Sequence, residues 1–335
     1  MGKIAQRQEV IDNLLTDTWY TRIRGDIIDG VSKIRPFWDM MIESGKLKKK
    51  APDGTHWEYN FRYARNRQNV KYIGRGDTFG LAEAETRTVM KFEVRDIGTS
   101  MVRMWKDEKK NKGSARIVSY VDELLSDTEM GLSEALSEDL LTQNASPMSI
   151  NALPTLISTT PTVGTIGTLD RSEHKGLQNI AYDYTGKTPI TDLLKAFATV
   201  VNKCTEFKGG RKGSSKPDII LTTRKIYQDY KDIANALRQI VTNSAPAANL
   251  GFGNLLYEDI PIFWDPDCPA GCVYFLNTDT LEFPYDPDYW FEMTEWKPVH
   301  GTSLDRTAQI ICSANLICTL PAKNAVIYNY TPNNT

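Results

Sequence analysis

Apolar residues in the first part of the chain recur at three- and four-residue steps: Ile4, Val10, Ile11, Leu14, Leu15, Trp19, Tyr20, Ile23, Ile27, Val31 and Ile34. That spacing predicts amphipathic helix. A second, short helix is expected to start at Pro36, place Phe37, Met40 and Met41 on one face, and stop at Gly45 before the run Lys46-Leu-Lys-Lys-Lys50. So many large apolar groups ahead of any evident core need a partner surface, because each one left wet forfeits about 1.5–3 kcal/mol. Residues 1–50 are therefore expected to form a helical arm that packs on another copy of the chain through Trp19, Phe37 and Trp38.

From His56 to Tyr63 the period changes to two, with Trp57, Tyr59, Phe61 and Tyr63 on one side and Glu58, Asn60 and Arg62 on the other. This predicts a strand. A second alternation from Val89 to Val94, continuing through Met101 to Trp105, is expected to pair with it across a connection rich in Arg65, Arg67, Lys71, Arg75 and glycines. The product is a long hairpin with a basic tip, and a hairpin of that length needs a surface to lie on. Ser114 can cap a helix running to about Gln143, with Ile117, Val121, Leu124, Leu125, Leu132, Leu136 and Leu140 as its apolar stripe. At 1.5 Å per residue it would be about 45 Å long. Residues 144–190 read as loop. Beyond them come a helix from Thr191 to Cys204, a buried strand Asp218–Thr222, a helix from about Thr223 to Val241, and strands at Pro261–Trp264, Cys272–Leu276 and Gln309–Leu320. Interleaved helices and strands of mixed order place the chain in the α+β class.

With 335 residues, 41% hydrophobic content and seven Trp, the chain can bury a large core, which excludes disordered, fibrous and coiled-coil classes. Its formal charge of -2 hides a gradient. Residues 1–113 carry 23 basic against 16 acidic side chains, and residues 114–335 carry 17 against 26. The basic part and the acidic part are complementary surfaces for copies of one chain. Five cysteines, an odd number in a long chain, fit a reducing cytoplasm better than a disulfide framework. The polar N-terminus and the Ser/Thr/Pro/Gly-rich uncharged stretch Asn144–Leu169 predict neither signal peptide nor membrane span.

Motifs for chemistry are weak. Tyr184-Thr-Gly-Lys-Thr188 resembles the end of a phosphate-binding loop, but Ala181 stands where its first glycine is required, so a surface turn is expected. Asp265-Pro-Asp267 followed by Cys268-x-x-x-Cys272 could supply metal ligands, yet no second Cys or His pair follows, and Asp-Pro is ordinary turn chemistry. Three histidines accompany no Gly-x-Ser-x-Gly elbow and no His-Glu-x-x-His pair. Arg75-Gly76-Asp77 reads as a turn at the hairpin tip. Arg62, Arg65, Arg67, Lys71 and Arg75 interleave with Phe61, Tyr63 and Tyr72 as in single-strand nucleic-acid binders. The acidity of the second half favours a subunit-facing hairpin instead. Arg65, Arg67 and Arg75 are expected to meet Asp122, Glu123 and Asp127 of a neighbouring copy's long helix. No catalytic residue, cofactor or metal site is expected.

Leu153-Pro-Thr-Leu-Ile157, then Gly164-Thr-Ile-Gly167-Thr-Leu-Asp170-Arg171-Ser172 and Asn179, resemble the major capsid proteins of tailed bacteriophages, which have the Hong Kong 97-type fold. So do Ile260-Pro-Ile-Phe-Trp-Asp265 leading to Gly271-Cys-Val-Tyr-Phe-Leu-Asn277, and the order arm, extended hairpin, long helix, C-terminal strands. Leu177 stands where a Trp is common in that family. The resemblance implies an N-terminal arm at 1–50, and an extended loop with peripheral-domain strands and spine helix at 51–144. It also implies an axial domain at 145–308, and a return strand with C-terminal tail at 309–335. It further implies a non-enzymatic subunit that self-assembles as pentamers and hexamers into an icosahedral shell, with double-stranded DNA packaged by non-specific contact. Portal and scaffold or decoration proteins would be its other partners, and no membrane is involved. Its place would be the virion capsid, assembled in the bacterial host cytoplasm. The competing readings are an encapsulin-like compartment of the same fold and, in a different class, a soluble α/β metal-dependent enzyme built on Asp265, Asp267 and Cys268.

Overall fold

Proline at the first helical position and an apolar face produce the first described element, α1 (Pro36–Glu43), in the computed structural model of the chain. The structure describes residues 36–43, 45–67, 69–78, 80, 83, 85–105, 114–143, 146–206, 216–236, 255–300 and 304–332. Trp19 and the helix expected before residue 36 lie outside the described residues. Phe37, Trp38, Met40 and Met41 of α1 are all buried, at 0–6% exposure, in this chain's own main core. Trp38 meets Phe283 edge-on at 5.4 Å between ring centroids. This corrects the expectation that Phe37 and Trp38 serve a neighbouring copy: their apolar area is already removed from water within the subunit. Next comes β1 (Leu47–Lys49), which pairs in parallel with Phe283–Tyr285 of a later strand. Residues 36–49 are therefore part of the body of the subunit, and the boundary expected at residue 50 falls inside it.

The strand β2 (His56–Arg62) pairs antiparallel with β3 (Arg87–Glu93) over seven residues, from His56 opposite Glu93 to Arg62 opposite Arg87. The hairpin does not continue into Met101–Trp105. After Val94 the chain starts β4 (Arg95–Arg103), which pairs along its full length with a C-terminal strand. The long helix follows as α2 (Ser114–Leu141), with Leu125, Leu132, Leu136, Leu140 and Leu141 buried. The segment read as loop holds α3 (Leu153–Leu156), a small hairpin of β5 (Thr165–Ile166) and β6 (Leu169–Asp170), and β7 (Ile180–Asp183).

The remaining elements are α4 (Pro189–Thr205), β8 (Ile219–Thr222), α5 (Arg224–Ala236), β9 (Leu256–Tyr257), β10 (Ile260–Trp264), β11 (Val273–Leu276) and β12 (Leu281–Tyr285). They end with β13 (Glu292–Met293), β14 (Lys297–Pro298), β15 (Arg306–Ala314), β16 (Ile317–Cys318) and β17 (Ala325–Tyr328). One seven-stranded sheet runs β1-β12-β15-β13, with β4 and β14 also on β15 and β16 on β12. A six-stranded sheet runs β7-β17-β11-β8-β10-β9.

Strands β8 and β11 read as unbroken apolar runs because both faces of the six-stranded sheet are covered. Alternate side chains feed different cores. Ile220, Val273, Phe275, Ala325 and Ile327 pack with α4 and α5, while Ile219, Leu221, Tyr274, Leu276 and Val326 join the main core with α1 and α2. Strand β15 pairs with β4, whereas residues 325–328 join the six-stranded sheet as β17. Among the described residues no helix is long and apolar enough to cross a membrane.

Candidate inter-subunit surface

The β2–β3 hairpin owes its shape to alternation. Trp57, Tyr59, Phe61, Met90 and Phe92 point to one side and are buried with Ile166, Leu177 and Ile317 in a third, separate cluster. On the open side Lys91 pairs with Glu58 at 3.0 Å. The hairpin base is seated on residues 164–177. Lys91 N–H donates to the Gly167 carbonyl at 3.0 Å. Two glycines allow the close approach: a Cβ at Gly167, whose φ is +56°, would lie 2.8 Å from Met90 Cβ, and one at Gly176 would lie 2.9 Å from Phe61 Cζ.

The seat itself is held by Arg171, whose contribution pattern reading missed. Its guanidinium is buried and donates to the carbonyls of Thr155 at 2.6 Å and Leu156 at 2.8 Å and to Asn179 Oδ1 at 3.3 Å. Asn179 in turn accepts from Ser158 N–H at 3.0 Å and donates to the Ser158 carbonyl at 2.8 Å. Burial lowers the Arg171 pKa from its usual value. Its motif surroundings were visible in the sequence, but no periodicity marks a buried cation that binds backbone carbonyls.

Past Arg62 the ladder ends with Tyr63 and Ala64 N–H sharing the Thr86 carbonyl. The tip beyond it is open to solvent. Arg65, Arg67, Lys71 and Arg75 are exposed, as are Val70 at 76%, Ile73 at 44% and Tyr72, whose whole surface is free. Arg75-Gly76-Asp77 is a turn: Gly76 has φ +94°, and Asp77 Oδ2 accepts from Gly74 N–H at 2.7 Å. On α2, Asp127 is exposed together with Glu134 and Glu138, and Asp122 and Glu123 lie in its first half. Among the described residues no ion pair joins Arg65, Arg67 or Arg75 to Asp127 within one chain.

A cleft of about 770 Å³ opens where the hairpin meets the seven-stranded sheet. Lys50, Arg62 and Arg65 line it with Tyr59, Phe61 and Met90 from the hairpin side, and Asp279, Glu282, Thr319 and Leu320 from the sheet side. The basic run after α1 is used here. Lys48 pairs with Glu282, Lys46 pairs with Asp279 at 3.2 Å, and the Lys50 ammonium sits 4.0 Å above the Tyr59 ring. Glu282 also accepts from Tyr59 Oη at 3.0 Å. Arg65 is thus a wall of this cleft as well as the start of the tip.

The groups weighed for metal or phosphate chemistry have structural roles. Asp265 is fully buried; its carboxylate accepts from Phe37 N–H at 3.4 Å and Asp267 N–H at 3.0 Å, fastening α1 to the end of β10. Burial pushes the Cys268 thiol well above its usual value. Among the described residues no three His, Cys, Asp or Glu side chains gather as a metal site. At the loop resembling a phosphate binder, Gly186 makes a turn with φ +73° and the Lys187 ammonium lies 3.8 Å over the Tyr182 ring.

No family model matches the sequence, and no curated protein matches it. Solved structures do. A chain of the cyanophage A-1(L) capsid asymmetric unit matches with a TM-score of 0.61 at 15% identity, over 89% of this chain and 93% of that one. A Mycobacterium phage Bobi structure matches with a TM-score of 0.55 at 9% identity, over 85% and 89%. The holo-SrpI encapsulin complex of Synechococcus elongatus PCC 7942 matches with a TM-score of 0.52 at 12% identity, over 86% and 87%. Likeness over most of both chains gives this chain the α+β fold of phage capsid proteins, the Hong Kong 97-type fold.

Proposed function

We propose that the chain is a major capsid protein, many copies of which form the icosahedral shell around the double-stranded DNA genome of a tailed bacteriophage. The observation that carries the reading is the hairpin tip, where a fully solvated Tyr72 and exposed Val70 stand among four exposed cations on a subunit of capsid fold. Isolated apolar groups at the end of an arm are costly to order unless a second surface covers them. In this reading β4, β15 and α2 make the peripheral domain and the six-stranded sheet makes the axial domain. Arg65, Arg67 and Arg75 meet the acidic face of α2 on an adjacent copy, around Asp122, Glu123 and Asp127. Trp19 belongs to an arm that contacts a neighbour. Copies associate as pentamers and hexamers, portal and scaffold or decoration proteins complete the shell, and DNA is held by non-specific contact. Assembly takes place in the bacterial host cytoplasm, and the mature location is the virion.

Electron microscopy of the purified chain over a range of concentrations tests this. Closed shells or rings are expected, and a chain that stays monomeric at high concentration and moderate salt would sink the proposal. The similarity to an encapsulin keeps one alternative of the same fold, a protein compartment. Particles that enclose a folded enzyme and no nucleic acid would select it.

A further inference from the structure

The connection between β10 and β11 carries two thiols in successive turns. Asp265 begins it, its carbonyl accepting from Cys268 N–H at 3.3 Å, and in the next turn Cys272 N–H donates to the Pro269 carbonyl at 3.2 Å across Gly271, whose φ is +71°. The two turns fold Cys268 back over Cys272, so that Cys268 Sγ lies 4.0 Å from the Cys272 carbonyl oxygen. Alternation along the strand then aligns the side chains. Tyr274 and Leu276 face the main core, and Cys272, two residues ahead of Tyr274, packs against that same core, to which Cys268 belongs. We propose that Cys268 and Cys272 are a redox pair, a dithiol in a reducing compartment that closes to a disulfide on meeting a small disulfide oxidant such as oxidised glutathione.

The two thiols differ as an attacking and a resolving cysteine do. Cys268 is 6% exposed, whereas Cys272 is only partly covered. Burial raises both pKa values, that of Cys268 well above the usual thiol value with the neighbouring Cys272 as a second cause, but at Cys272 a hydrogen bond from the Tyr274 hydroxyl favours the thiolate and offsets part of the shift. Cys272 is therefore the entering nucleophile. Its thiolate bonds to one sulfur of the oxidant and expels the other half as a thiolate; Cys268, deprotonated, then bonds to the Cys272 sulfur and expels the second half. The pair gives up two electrons and two protons, and the oxidant ends as two thiols. Three parts of the fold are seated on this connection. The Asp265 carboxylate accepts from Phe37 N–H, Thr222 Oγ1 donates to the Cys272 carbonyl at 3.4 Å, and Tyr330 N–H donates to the Gly271 carbonyl at 3.0 Å. Closing the disulfide thus tightens the seats of α1 and of the C-terminal segment. The thiols of Cys204, Cys312 and Cys318, at 0% exposure, offer an oxidant no entry.

Thiol mapping on the full chain tests the pair. The folded protein is held with oxidised glutathione at about pH 8.5, near the ordinary thiol pKa, then unfolded, alkylated and cleaved with trypsin. Cleavage after Arg238 and Arg306 leaves both cysteines in one peptide with no third, so closure is read as the loss of two hydrogens from it. That loss is expected, with Cys204, Cys312 and Cys318 all alkylated. Cys268→Ser should stop the reaction halfway, with glutathione left on Cys272, and Cys272→Ser should slow the loss of the Cys268 thiol by about tenfold or more. The oxidised wild type should also melt about 2 °C or more above the reduced protein, a rise absent from Cys268→Ser. The pair is overturned if both thiols stay alkylable, if glutathione remains on Cys272 of the wild type without closure, or if Cys272 bonds to any other cysteine; a disulfide without the rise in melting overturns the tightening. The assay reads a single subunit, so its outcome is independent of whether the chain forms a shell.

Discussion

Three thiols, those of Cys204, Cys312 and Cys318, are at 0% exposure, and burial pushes each pKa up to about 12 from an ordinary 9.0. Desolvation disfavours the thiolate, so these cysteines act as small apolar groups. The consequence for stability has a definite sign. Above about pH 9 the unfolded chain releases these protons while the folded chain keeps them, so the unfolded state binds fewer protons and stability falls as pH rises towards 12. Each thiol contributes a loss on the order of 1.4 kcal/mol per pH unit in that window. Cys204 is the cleanest case, because its shift has no cause but burial. Cys204→Ala should cost stability near neutral pH through the small cavity it leaves, and that gap should narrow by about 2 kcal/mol between about pH 8 and about pH 10.5. Denaturant unfolding of both proteins at the two pH values measures it. A gap of constant size would mean that the thiol is solvated in the folded state.

Among the elements, α1 and β1 changed most between sequence and structure. Their helix was legible from Pro36 and the spacing of Phe37, Met40 and Met41, but periodicity states that a face is buried and not which copy buries it. The deciding contact, Asp265 with the Phe37 amide, spans a sequence separation of 228 residues and leaves no local trace. Four buried side chains on α1 represent roughly 6–12 kcal/mol of gross burial, comparable with the whole stability of an ordinary domain. A chain beginning at Ala51 is therefore expected to lose its cooperative melt, while one beginning at Pro36 keeps it; circular dichroism on heating separates them. A cooperative melt from the Ala51 chain would return α1 to the role of an external arm. Other elements were hidden for related reasons. The strand β12 reads Leu-Glu-Phe-Pro-Tyr, in which Glu282 and Pro284 break the apolar run, and Glu282 is tolerated inside with Lys48 and Tyr59 among the groups that meet it. The short β7 carries too few residues for a period to show. By contrast β2, β3, α2, β8 and β11 were readable, because one or both of their faces lie on a core, that of α2 through Leu125, Leu132, Leu136, Leu140 and Leu141.

For the whole molecule, the charge gradient seen in the sequence has become a division of surfaces. Among the described residues Arg65, Arg67, Lys71 and Arg75 stand on the hairpin tip and Lys50 and Arg62 line the cleft, and the exposed carboxylates of α2 lie on another element. Nothing in the sequence placed the cleft, since its walls come from the hairpin and from residues 279–320, brought together only by folding. If tip cations and α2 carboxylates of different copies meet, reversing the sign on one side removes the attraction and adds repulsion at every repeated contact. Arg65, Arg67 and Arg75 are exposed, so Arg65→Glu, Arg67→Glu and Arg75→Glu together should alter subunit stability by about 1 kcal/mol or less. Particle yield should nevertheless fall by about tenfold or more, because a deficit of even about 1.4 kcal/mol at one contact is a factor of ten in its equilibrium constant. The same charges predict that assembly of the unaltered chain weakens as salt rises past physiological strength, where the screening length drops below about 8 Å. Sedimentation of wild-type and triple-variant chains across a salt series reads both effects. The pairing is refuted if the triple variant assembles with wild-type yield at low salt, and supported if reversing Asp122, Glu123 and Asp127 to Lys in the same chain restores the particles.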